Sequence, residues 1–412
     1  MEVPKRLLIT NCYSYQNKGD AAIITCMIDQ LKREFPRAKL TISSHDKKDL
    51  LKKPYGNHEY IQNIQTIVFG NSKNIILKGF KAASFIARVA LFRILPFKSF
   101  FLFNKAEIEK LRSYEKSDLV VACGGGYLLT TRKFDILGAI LFAHDFYLAT
   151  LFSKPIVLYN QSIGPFGSRF HLPLLKMFLK PAKIILCREA ITYHRLEKEG
   201  LKNIVLAADV AFLLKPKKEE FAELRINALN IGISVRKWVN PKRQKKYENE
   251  IRKFIEMTVQ KNPEAVFYFM PQVIYDVNDD NDLPITRSII AGLSSKIKKN
   301  AINIERDLNP SVLMHYISQM DFFIGTRMHS NIFALACGVK TIAIAYEPKS
   351  LGVMNGLGLQ EYVIGMWELT AAELQKKFDK LREDSSYLRI LKNSLRQQKA
   401  LAKVVLKKYI NA

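Results

Sequence analysis

The sequence contains few cysteines, and none of them stands at a spacing typical of a metal site. Its five cysteines lie far apart, at positions 12, 26, 123, 187 and 337. An odd, scattered set fits reduced thiols in a cytosolic protein better than a disulfide framework. No cluster of histidines replaces them. The sequence therefore predicts neither a metal centre nor a disulfide scaffold.

Acidic residues are absent from two long segments, Tyr60–Ala106 and Ser385–Ala412. The whole chain carries 64 basic against 38 acidic residues, a net charge of +26. Such an excess implies an anionic partner, which is a nucleic acid, an acidic membrane surface or an acidic substrate. Because the chain lacks the aromatic signature of a nucleic-acid module, we expect no nucleic-acid partner.

A long uncharged apolar run is also absent. The segment 71–106 is crowded with Phe, Ile and Leu, yet basic residues interrupt it throughout. No uncharged run within this segment reaches the length that a transmembrane helix needs. The opening residues Met1–Thr10 become a predicted strand too early to hold the apolar region of a signal peptide. We therefore expect a cytoplasmic protein.

Strands and helices alternate along the 412 residues, of which 48% are hydrophobic. This pattern predicts an α/β protein with two domains and parallel sheets. The predicted domains are 1–214, which includes the basic apolar segment 71–106, and 229–385, followed by a basic amphipathic helix over 386–412. The predicted strands of the first half are Arg6–Thr10, Leu40–Ser43, Gln65–Phe69, Asp118–Cys123, Pro155–Asn160, Lys183–Cys187 and Asn203–Leu206. Those of the second half are Asn230–Val235, Ala265–Met270, Asn303–Glu305, Met320–Ile324 and Thr341–Tyr346.

The stretch 320–348 predicts a strand, a tight turn, a helix over 328–337 and a second strand. Arg327 and His329 lie at the first turn of that helix, beside unpaired backbone N–H groups and the positive end of the helix dipole. A basic residue there calls for a negative partner, so we interpret the turn as a site for a small anionic substrate. The alternative is a solvent-facing arginine and a histidine packed in the core.

Six short motifs spread over the chain resemble the polysaccharide pyruvyl transferases. They are NKGDAAI at 17–23, GGGYLL at 124–129, QSIGPF at 161–166, GISVR at 232–236, GTRMHS at 325–330 and YEPKS at 346–350. The resemblance implies a GT-B-like fold, with two Rossmann-like domains whose parallel sheets face a central cleft. It also implies a reaction in which the pyruvyl group of phosphoenolpyruvate passes to a sugar of a capsular, exopolysaccharide or cell-wall polymer, often as a cyclic ketal.

The resemblance also assigns residues. The family contacts phosphoenolpyruvate through an arginine and an Arg-x-His motif, which match Arg236, Arg327, Met328 (through its backbone) and His329. The remaining predicted substrate-binding residues come from the same six motifs. They are Asn17, Gly124, Gly125, Gly126, Gln161, Thr326, Ser330, Glu347 and Lys349. For the three glycines, tight backbone packing is an equal alternative.

The chemistry of phosphoenolpyruvate agrees with this assignment. Two arginines and a helix N-terminus suit a phosphate and a carboxylate, and they can supply the charge stabilisation that a metal would otherwise give. We therefore expect neither a metal nor a cofactor. His329 is the nearest candidate for proton transfer. Asp20 is a candidate base or hydroxyl anchor for the sugar, and the alternative is a simple helix-start carboxylate.

Two other function classes compete with this interpretation. Many nucleotide-sugar glycosyltransferases place a glutamate where Phe333 stands, and phenylalanine cannot hold a donor ribose. The heptosyltransferase type is a closer variant, because its donor loop also carries a Met-His pair. A non-catalytic membrane scaffold would give Arg327 and His329 no role.

The tail predicts where such an enzyme works. Six basic residues share one face of the predicted C-terminal helix: Arg389, Lys392, Arg396, Lys399, Lys403 and Lys407. A neighbouring face carries Leu391, Leu395, Ala402, Val405 and Tyr409. A helix of this kind lies on anionic lipid or packs on the protein with its charges outward. Together with the acid-free segment 60–106, it predicts peripheral binding at the inner face of the membrane and a lipid-linked sugar acceptor.

Overall fold

The computed structural model describes residues 3–70, 74–94, 100–130, 136–238, 240–274 and 280–410. The chain forms two compact units. The first comprises Met1–Tyr15, Ile23–Asp209 and Lys403–Ala412, and the second comprises Gln16–Ala22 and Val210–Ala402. The division differs from the predicted boundaries in two places, because residues 16–22 group with the second unit and the last ten residues with the first.

The first unit is built on a parallel sheet. Its strands are β1 (Arg6–Cys12), β2 (Lys39–Ser44), β3 (Glu59–Gln62), β4 (Leu119–Ala122), β5 (Gly125–Thr130), β6 (Ile156–Phe166), β7 (Ile184–Cys187) and β8 (Ile204–Leu206). They lie in the order β3-β2-β1-β4-β6-β7-β8, with β5 paired to β6. The order reverses between β1 and β4, which is where ligands bind in open α/β sheets.

Helices connect these strands. They are α1 (Lys18–Glu34), α2 (Lys47–Lys52), α3 (Ile64–Phe69), α4 (Ile75–Ile94), α5 (Lys105–Lys116), α6 (Ile136–Leu151), α7 (His171–Leu179) and α8 (Ala190–Lys198). The central strand β4 is buried along its whole length, as a strand covered by helices on both faces should be. The first unit therefore has the α/β architecture that the sequence predicts.

The prediction of a strand over Gln65–Phe69 is wrong, because this segment is helix α3. A short run of apolar and β-branched residues suits either structure, so its hydrophobic pattern alone is ambiguous. The preceding Asn63 decides it, since its side chain accepts a hydrogen bond from the backbone N–H of Gln65 at 2.8 Å and caps the helix. The third strand of the sheet lies just before this cap.

The second unit repeats the design. Its strands are β9 (Leu229–Ser234), β10 (Ala265–Phe269), β11 (Ala301–Asn303), β12 (Phe322–Gly325), β13 (Lys340–Ala345) and β14 (Val363–Gly365), in the order β11-β10-β9-β12-β13-β14. All pairs are parallel. Its helices are α9 (Pro241–Lys261), α10 (Asp282–Ala291), α11 (Ser295–Lys298), α12 (Pro310–Ser318), α13 (Met328–Ala336), α14 (Pro348–Gly356), α15 (Ala371–Glu383) and α16 (Tyr387–Ala402).

The order of the second sheet reverses between β9 and β12. From β9 the chain steps outward through β10 to β11, and from β12 it steps the other way through β13 to β14. The carboxyl ends of these two neighbouring central strands carry the motifs that end in Arg236 and begin at Gly325. The fold therefore brings the two predicted donor motifs to one crevice of the second unit.

The tail forms two helices rather than the one predicted over 386–412. Helix α16 ends at Ala402, and α17 (Lys407–Ile410) belongs to the first unit, where the backbone N–H of Lys407 donates to Glu34. Of the six basic residues predicted to share one helix face, Arg389, Lys392 and Arg396 are exposed on α16, Lys399 is half-buried, and Lys403 and Lys407 lie beyond the end of this helix. Within the described ranges, we find no helix with the length and apolar character needed to cross a bilayer.

Candidate functional site

Strand β9 holds the turn between β12 and α13. The backbone N–H of Thr326 donates to the carbonyl of Ser234 at 2.9 Å. The hydroxyl of Ser330 lies 2.7 Å from Ser234 Oγ and 2.9 Å from the carbonyl of Arg327. Thr326 Oγ1 lies 2.7 Å from the hydroxyl of the buried Tyr247. Thr326 and Ser330, both predicted to bind substrate, therefore fix the turn to its neighbouring strand and to α9.

Arg327 is the N-cap residue of α13, and its guanidinium is buried against two carboxylates. The nitrogen Nε lies 3.1 Å from Asp282 Oδ1, and Nη2 lies 2.5 Å from the same oxygen. The other edge of the guanidinium faces Asp280, with Nη2 2.7 Å from Asp280 Oδ1 and Nη1 3.2 Å from Oδ2. Burial alone would lower the pKa of Arg327, but the charges of Asp282 and Asp280 outweigh it and raise the pKa. Arg327 therefore stays charged.

The two carboxylates are held very differently. Asp282 opens helix α10, is fully buried, and accepts the backbone N–H groups of Gln272 at 2.9 Å and Val273 at 3.0 Å. Asp280 keeps 36% of its side chain exposed. Burial would raise the pKa of Asp280, but the hydrogen bonds and charge of Arg327 outweigh it and lower the pKa. Asp282 is therefore a fixed support for Arg327, whereas Asp280 is an ionised carboxylate at the edge of the site.

Arg236 faces the same cluster from the end of β9. Its Nε lies 3.9 Å from Asp280 Oδ1, and its Nη1 lies 3.7 Å from Glu347 Oε1. Glu347 in turn pairs with Lys349 at 2.5 Å. The structure thus brings together four of the predicted site residues, counting Arg327. These three basic side chains are matched by three carboxylates among the described residues, so the negative partner expected for Arg327 is provided by the chain itself.

His329 lies in the first turn of α13 and packs against the start of α1. A Cβ atom added to Gly19 would come within 2.1 Å of His329 Nδ1 and 2.6 Å of its Cγ. Only glycine at position 19 therefore lets the two helix ends approach so closely. The side chain of Asn17 accepts a hydrogen bond from the Gly19 N–H at 3.1 Å, so Asn17 caps α1. Asp20 lies in the same first turn, half-buried.

Residues 16–22 are tied to the crevice by further backbone contacts. The N–H of Lys18 donates to the carbonyl of Gln272 at 2.9 Å, and Asn17 forms an isolated antiparallel bridge with Val273. Met328 is buried at 5% exposure, which leaves its backbone as the part available to a ligand. The predicted residues Asn17, Asp20 and His329 therefore belong to the same unit as Arg236 and Arg327.

The remaining predicted residues lie in the first unit. The side-chain amide of Gln161 donates to the hydroxyl of Tyr127 at 2.7 Å and to the carbonyl of Cys123. A Cβ atom on Gly124 would come within 2.8 Å of the Tyr159 carbonyl oxygen, so tight packing against β6 accounts for this glycine. Gly125 begins β5 with a φ of 151° and Gly126 follows it in the strand. Gln161 and the glycines thus lie at the carboxyl edge of the first sheet.

Sequence reasoning missed Asp280, Asp282 and Gly19. A signal for the two aspartates exists, since four aspartates crowd into 276–282 in a chain with a net charge of +26. A signal for Gly19 exists only in the motif that contains it. Among the described residues, no group of three or more His, Cys, Asp or Glu is placed to hold a metal ion. That the reaction needs no metal stays a prediction.

Comparison with known proteins identifies the family. The sequence profile described as polysaccharide pyruvyl transferase matches residues 17–348, which include both arginines and His329. The chain belongs to the polysaccharide pyruvyl transferase family. It is therefore an enzyme, a transferase of polysaccharide biosynthesis. It is also similar to the amylovoran biosynthesis protein AmsJ of Erwinia amylovora, with 26% identity over 385 residues that cover 86% of this chain and 87% of that protein.

Solved structures confirm the GT-B-like fold. A UDP-GlcNAc 2-epimerase from Neisseria meningitidis superimposes with a TM-score of 0.60 at 13% identity, covering 99% of this chain and 100% of that one. The spinosyn rhamnosyltransferase SpnG superimposes with a TM-score of 0.54 at 12% identity, covering 99% and 100%. These identities are too low to carry function. Phe333, which stands where a nucleotide-sugar enzyme would place its glutamate, is fully buried in α13.

Proposed function

We propose that this enzyme transfers the pyruvyl group of phosphoenolpyruvate to a sugar of a surface polysaccharide repeat unit, with formation of a pyruvate ketal. The observation that carries the proposal is the convergence of Arg236 and Arg327 on the carboxylate of Asp280. Two arginines that meet on one carboxylate have the geometry that the carboxylate or phosphate of the donor requires. Asp280 marks the position that an anion takes between the two arginines.

The reaction balances as an addition followed by a substitution. A sugar hydroxyl oxygen bonds to C2 of phosphoenolpyruvate, while the methylene carbon C3 takes a proton and becomes a methyl group. A second hydroxyl oxygen of the sugar then bonds to C2, and the C2–O bond to phosphate breaks. One hydroxyl proton ends on the methyl group and the other leaves with the phosphate. No oxidant or reductant is needed.

His329 is the residue that we assign to the proton transfers. It follows Arg327 by two positions, and Gly19 fixes its ring from the other side. A proton donor must be held within hydrogen-bond reach of the reacting atom, and packing against α1 gives the imidazole that fixed position. Asp20, on the same turn of α1, is the candidate to accept a hydroxyl proton from the sugar.

Donor binding requires an exchange of counter-ions, because three carboxylates of the chain already pair with the three basic side chains. Asp282 cannot leave, since it is fully buried and holds two backbone N–H groups. Asp280 is partly exposed, and it pairs with Arg327 at the edge of the crevice. We therefore expect the anionic donor to displace Asp280 from Arg327 and Arg236.

Replacing Asp280 with asparagine is expected to strengthen phosphoenolpyruvate binding by about fivefold. The change removes an internal anion that competes with the donor, and a partly exposed ion pair contributes about 1 kcal/mol. Calorimetric titration of the two proteins with phosphoenolpyruvate measures the effect. Asp379→Asn is the matched control, because Asp379 pairs with Lys261 on the surface of the same unit and its loss changes the net charge equally. Unchanged or weaker binding by Asp280→Asn would contradict the exchange.

A direct assay tests the proposed function itself. The enzyme is incubated with phosphoenolpyruvate and lipid-linked repeat-unit intermediates, and the release of phosphate is followed. We expect phosphate release only when both substrates are present, with incorporation of pyruvate into the lipid-linked product. Release of phosphate without pyruvylated product, or no release with any acceptor, would count against the assignment.

The first unit offers a surface that fits a membrane-bound acceptor. Helix α4 buries Phe85 and Val89 in the core, yet five large apolar side chains among those described are exposed, of which Leu77 lies to the side and four share the outer face. These are Ile76, Phe80, Leu91 and Ile94, at exposures of 79%, 74%, 44% and 78%. Their spacing of four, eleven and three residues keeps them on one helix face. Because 60–106 contains no acidic residue, the occupant that we propose for this face is an anionic bilayer surface.

We therefore expect the protein to sediment with anionic vesicles at low salt and to keep part of this binding at high salt. Basic residues near the surface contribute about 1 kcal/mol each, which salt screens, whereas the apolar face of α4 does not depend on salt. The Ile76→Ser/Phe80→Ser variant should lose the salt-resistant part. Ile226→Ser is the control, because Ile226 is 87% exposed in the second unit. A protein that stays in the supernatant with anionic vesicles at low salt would rule out the membrane surface.

A further inference from the structure

The chain has only two tryptophans, and both lie beside the donor site in the second unit. Trp238 comes two residues after Arg236, and its ring centroid is 6.2 Å from that of Trp367. On its other side, Trp238 meets the ring of Tyr346 edge-on at 5.2 Å. The three rings Tyr346, Trp238 and Trp367 form a continuous aromatic wall. Tyr346, at one end of this wall, directly precedes Glu347 in the sequence.

An arginine lies at each end of the aromatic wall. The guanidinium of Arg236 is 4.3 Å from the centroid of Tyr346 and 5.6 Å from that of Trp238. The guanidinium of Arg243, in the first turn of α9, is 3.9 Å from the centroid of Trp367. Stacking of this kind fixes the plane of a guanidinium and leaves its N–H groups at the edge to bind an anion.

A cavity of about 230 Å³ opens at the far end of the wall. Its lining includes Arg243, Lys246, Tyr247 and Trp367. Tyr247 connects this cavity to the turn between β12 and α13, because its hydroxyl contacts Thr326. Pockets for drug-sized ligands measure about 300–1,000 Å³, so this cavity suits a ligand as small as one sugar ring. Trp367 is 55% exposed, so part of its side chain is accessible to a ligand.

The charge of this cavity differs from that of the donor cluster, which consists of three basic side chains and their three carboxylates: Arg236, Arg327, Lys349, Asp280, Asp282 and Glu347. Arg236 and Arg327 both face carboxylates of the chain. In contrast, no carboxylate of the described residues forms an ion pair with Arg243, whose guanidinium contacts the indole instead. Lys246 adds a second positive charge, which the neighbouring Glu250 on α9 partly offsets. The cavity therefore combines an aromatic surface with a guanidinium that has no anionic partner there.

We propose that this cavity binds an anionic sugar of the acceptor glycan, a proposal that rests on the proposed function. Carbohydrate rings present apolar C–H faces that pack on aromatic side chains, and Trp367 supplies such a surface. The carboxylate or phosphate of the same sugar pairs with Arg243 and Lys246. The wall then leads from this sugar towards Arg236, so that a neighbouring sugar of the acceptor reaches the donor. The acceptor is accordingly an acidic glycan.

The two tryptophans make the test direct. The Trp238→Phe protein has Trp367 as its one remaining tryptophan, so its fluorescence reports on the cavity. We titrate it with glucuronic acid and with glucose 6-phosphate, which separate a carboxylate from a phosphate source, and with glucose and inorganic phosphate at the same concentrations. We expect one or both acidic sugars to change the emission, and neither glucose nor phosphate alone to do so.

Adding Arg243→Gln to this protein should weaken the response by about tenfold, because one charge-assisted contact is lost. Lys245→Gln is the matched control, since Lys245 lies on the same helix outside the cavity lining and carries the same charge. No response to either acidic sugar, an equal response to glucose or phosphate, or an unchanged response in Arg243→Gln would each overturn the proposal.

Calorimetry with phosphoenolpyruvate separates this proposal from the proposed function. We expect Arg243→Gln to bind phosphoenolpyruvate as the unsubstituted protein does, because Arg243 does not contact the donor cluster. If the unsubstituted protein fails to bind phosphoenolpyruvate, the donor assignment fails, even where the acidic sugars bind. If it binds phosphoenolpyruvate but no acidic sugar, the cavity assignment fails and the donor assignment stands.

Discussion

Replacing Arg327 with alanine is expected to weaken phosphoenolpyruvate binding about 30-fold or more. Arg327 is buried, and its guanidinium binds the carboxylate of Asp280 through two nitrogens at the crevice edge. When the donor takes the place of Asp280, this fork supplies charge-assisted hydrogen bonds, and losing them costs about 2 kcal/mol or more. Calorimetric titration with phosphoenolpyruvate measures the loss.

The same substitution is expected to lower the stability of the second unit. Without Arg327, the fully buried carboxylate of Asp282 keeps its two backbone N–H donors but loses its counter-charge. Leaving one partner of a buried pair uncompensated costs about 3–5 kcal/mol. A loss of binding could therefore reflect unfolding rather than the missing contact, and the melting temperature must be measured beside the affinity.

A second variant separates the two effects. Arg327→Ala/Asp282→Asn removes the buried charge together with its partner, so we expect it to regain most of the melting temperature. Donor binding should stay weak, because the guanidinium is still missing. Arg327→Lys keeps a charge but cannot form the bidentate fork, and we expect intermediate affinity. If the double variant binds phosphoenolpyruvate with normal affinity, Arg327 is a structural residue and the donor assignment is wrong.

Local sequence signals were sufficient to predict the turn that carries Arg327, in the proposed donor site. The apolar run before Gly325, the break at Thr326 and the helix formers after it predict a strand, turn and helix. The structure confirms them as β12 and α13. The alternation of elements also predicts that the strands are parallel. It does not predict that β9 lies beside β12, because β10 and β11 come between them in the chain and the order of the sheet reverses there. The meeting of both arginine motifs at one crevice therefore depends on the strand order, which the local pattern does not give.

The partners of those arginines could not be predicted in the same way. Asp282 lies 45 residues from Arg327 in sequence, and their contact depends on how α10 returns to the crevice. An acid-rich stretch in a basic chain indicates that ion pairs form, but it does not indicate which basic residue takes part in them. Gly19 shows this more clearly. A glycine is needed at this position because the ring of His329, which is distant in sequence, leaves no room for a side chain. Tertiary packing decides both contacts, and no local pattern encodes them.

Replacing His329 with alanine is expected to lower turnover by about two orders of magnitude or more, while donor affinity and the melting temperature change little. General acid–base groups contribute about 10²–10⁴-fold to the rate, and the imidazole lies at the turn that carries Arg327. Removal of the ring leaves a space beside Gly19 and keeps both carboxylate partners of Arg327 in place. Steady-state turnover with phosphoenolpyruvate and acceptor, together with donor calorimetry, checks both parts.

A Gly19→Ala variant tests the position of His329 without removing it. The new methyl group would lie 2.1 Å from Nδ1 if nothing moved, so the imidazole must shift away from the start of α1. Alanine suits a helix better than glycine, so the backbone of α1 gains stability locally while the ring is displaced. If His329 transfers a proton, Gly19→Ala should lose turnover and keep donor affinity, because a catalytic group must be held close to its ideal position. Near-normal turnover in His329→Ala would instead give the histidine a packing role. In that case the fit between Gly19 and the ring serves only to join the start of α1 to the second unit.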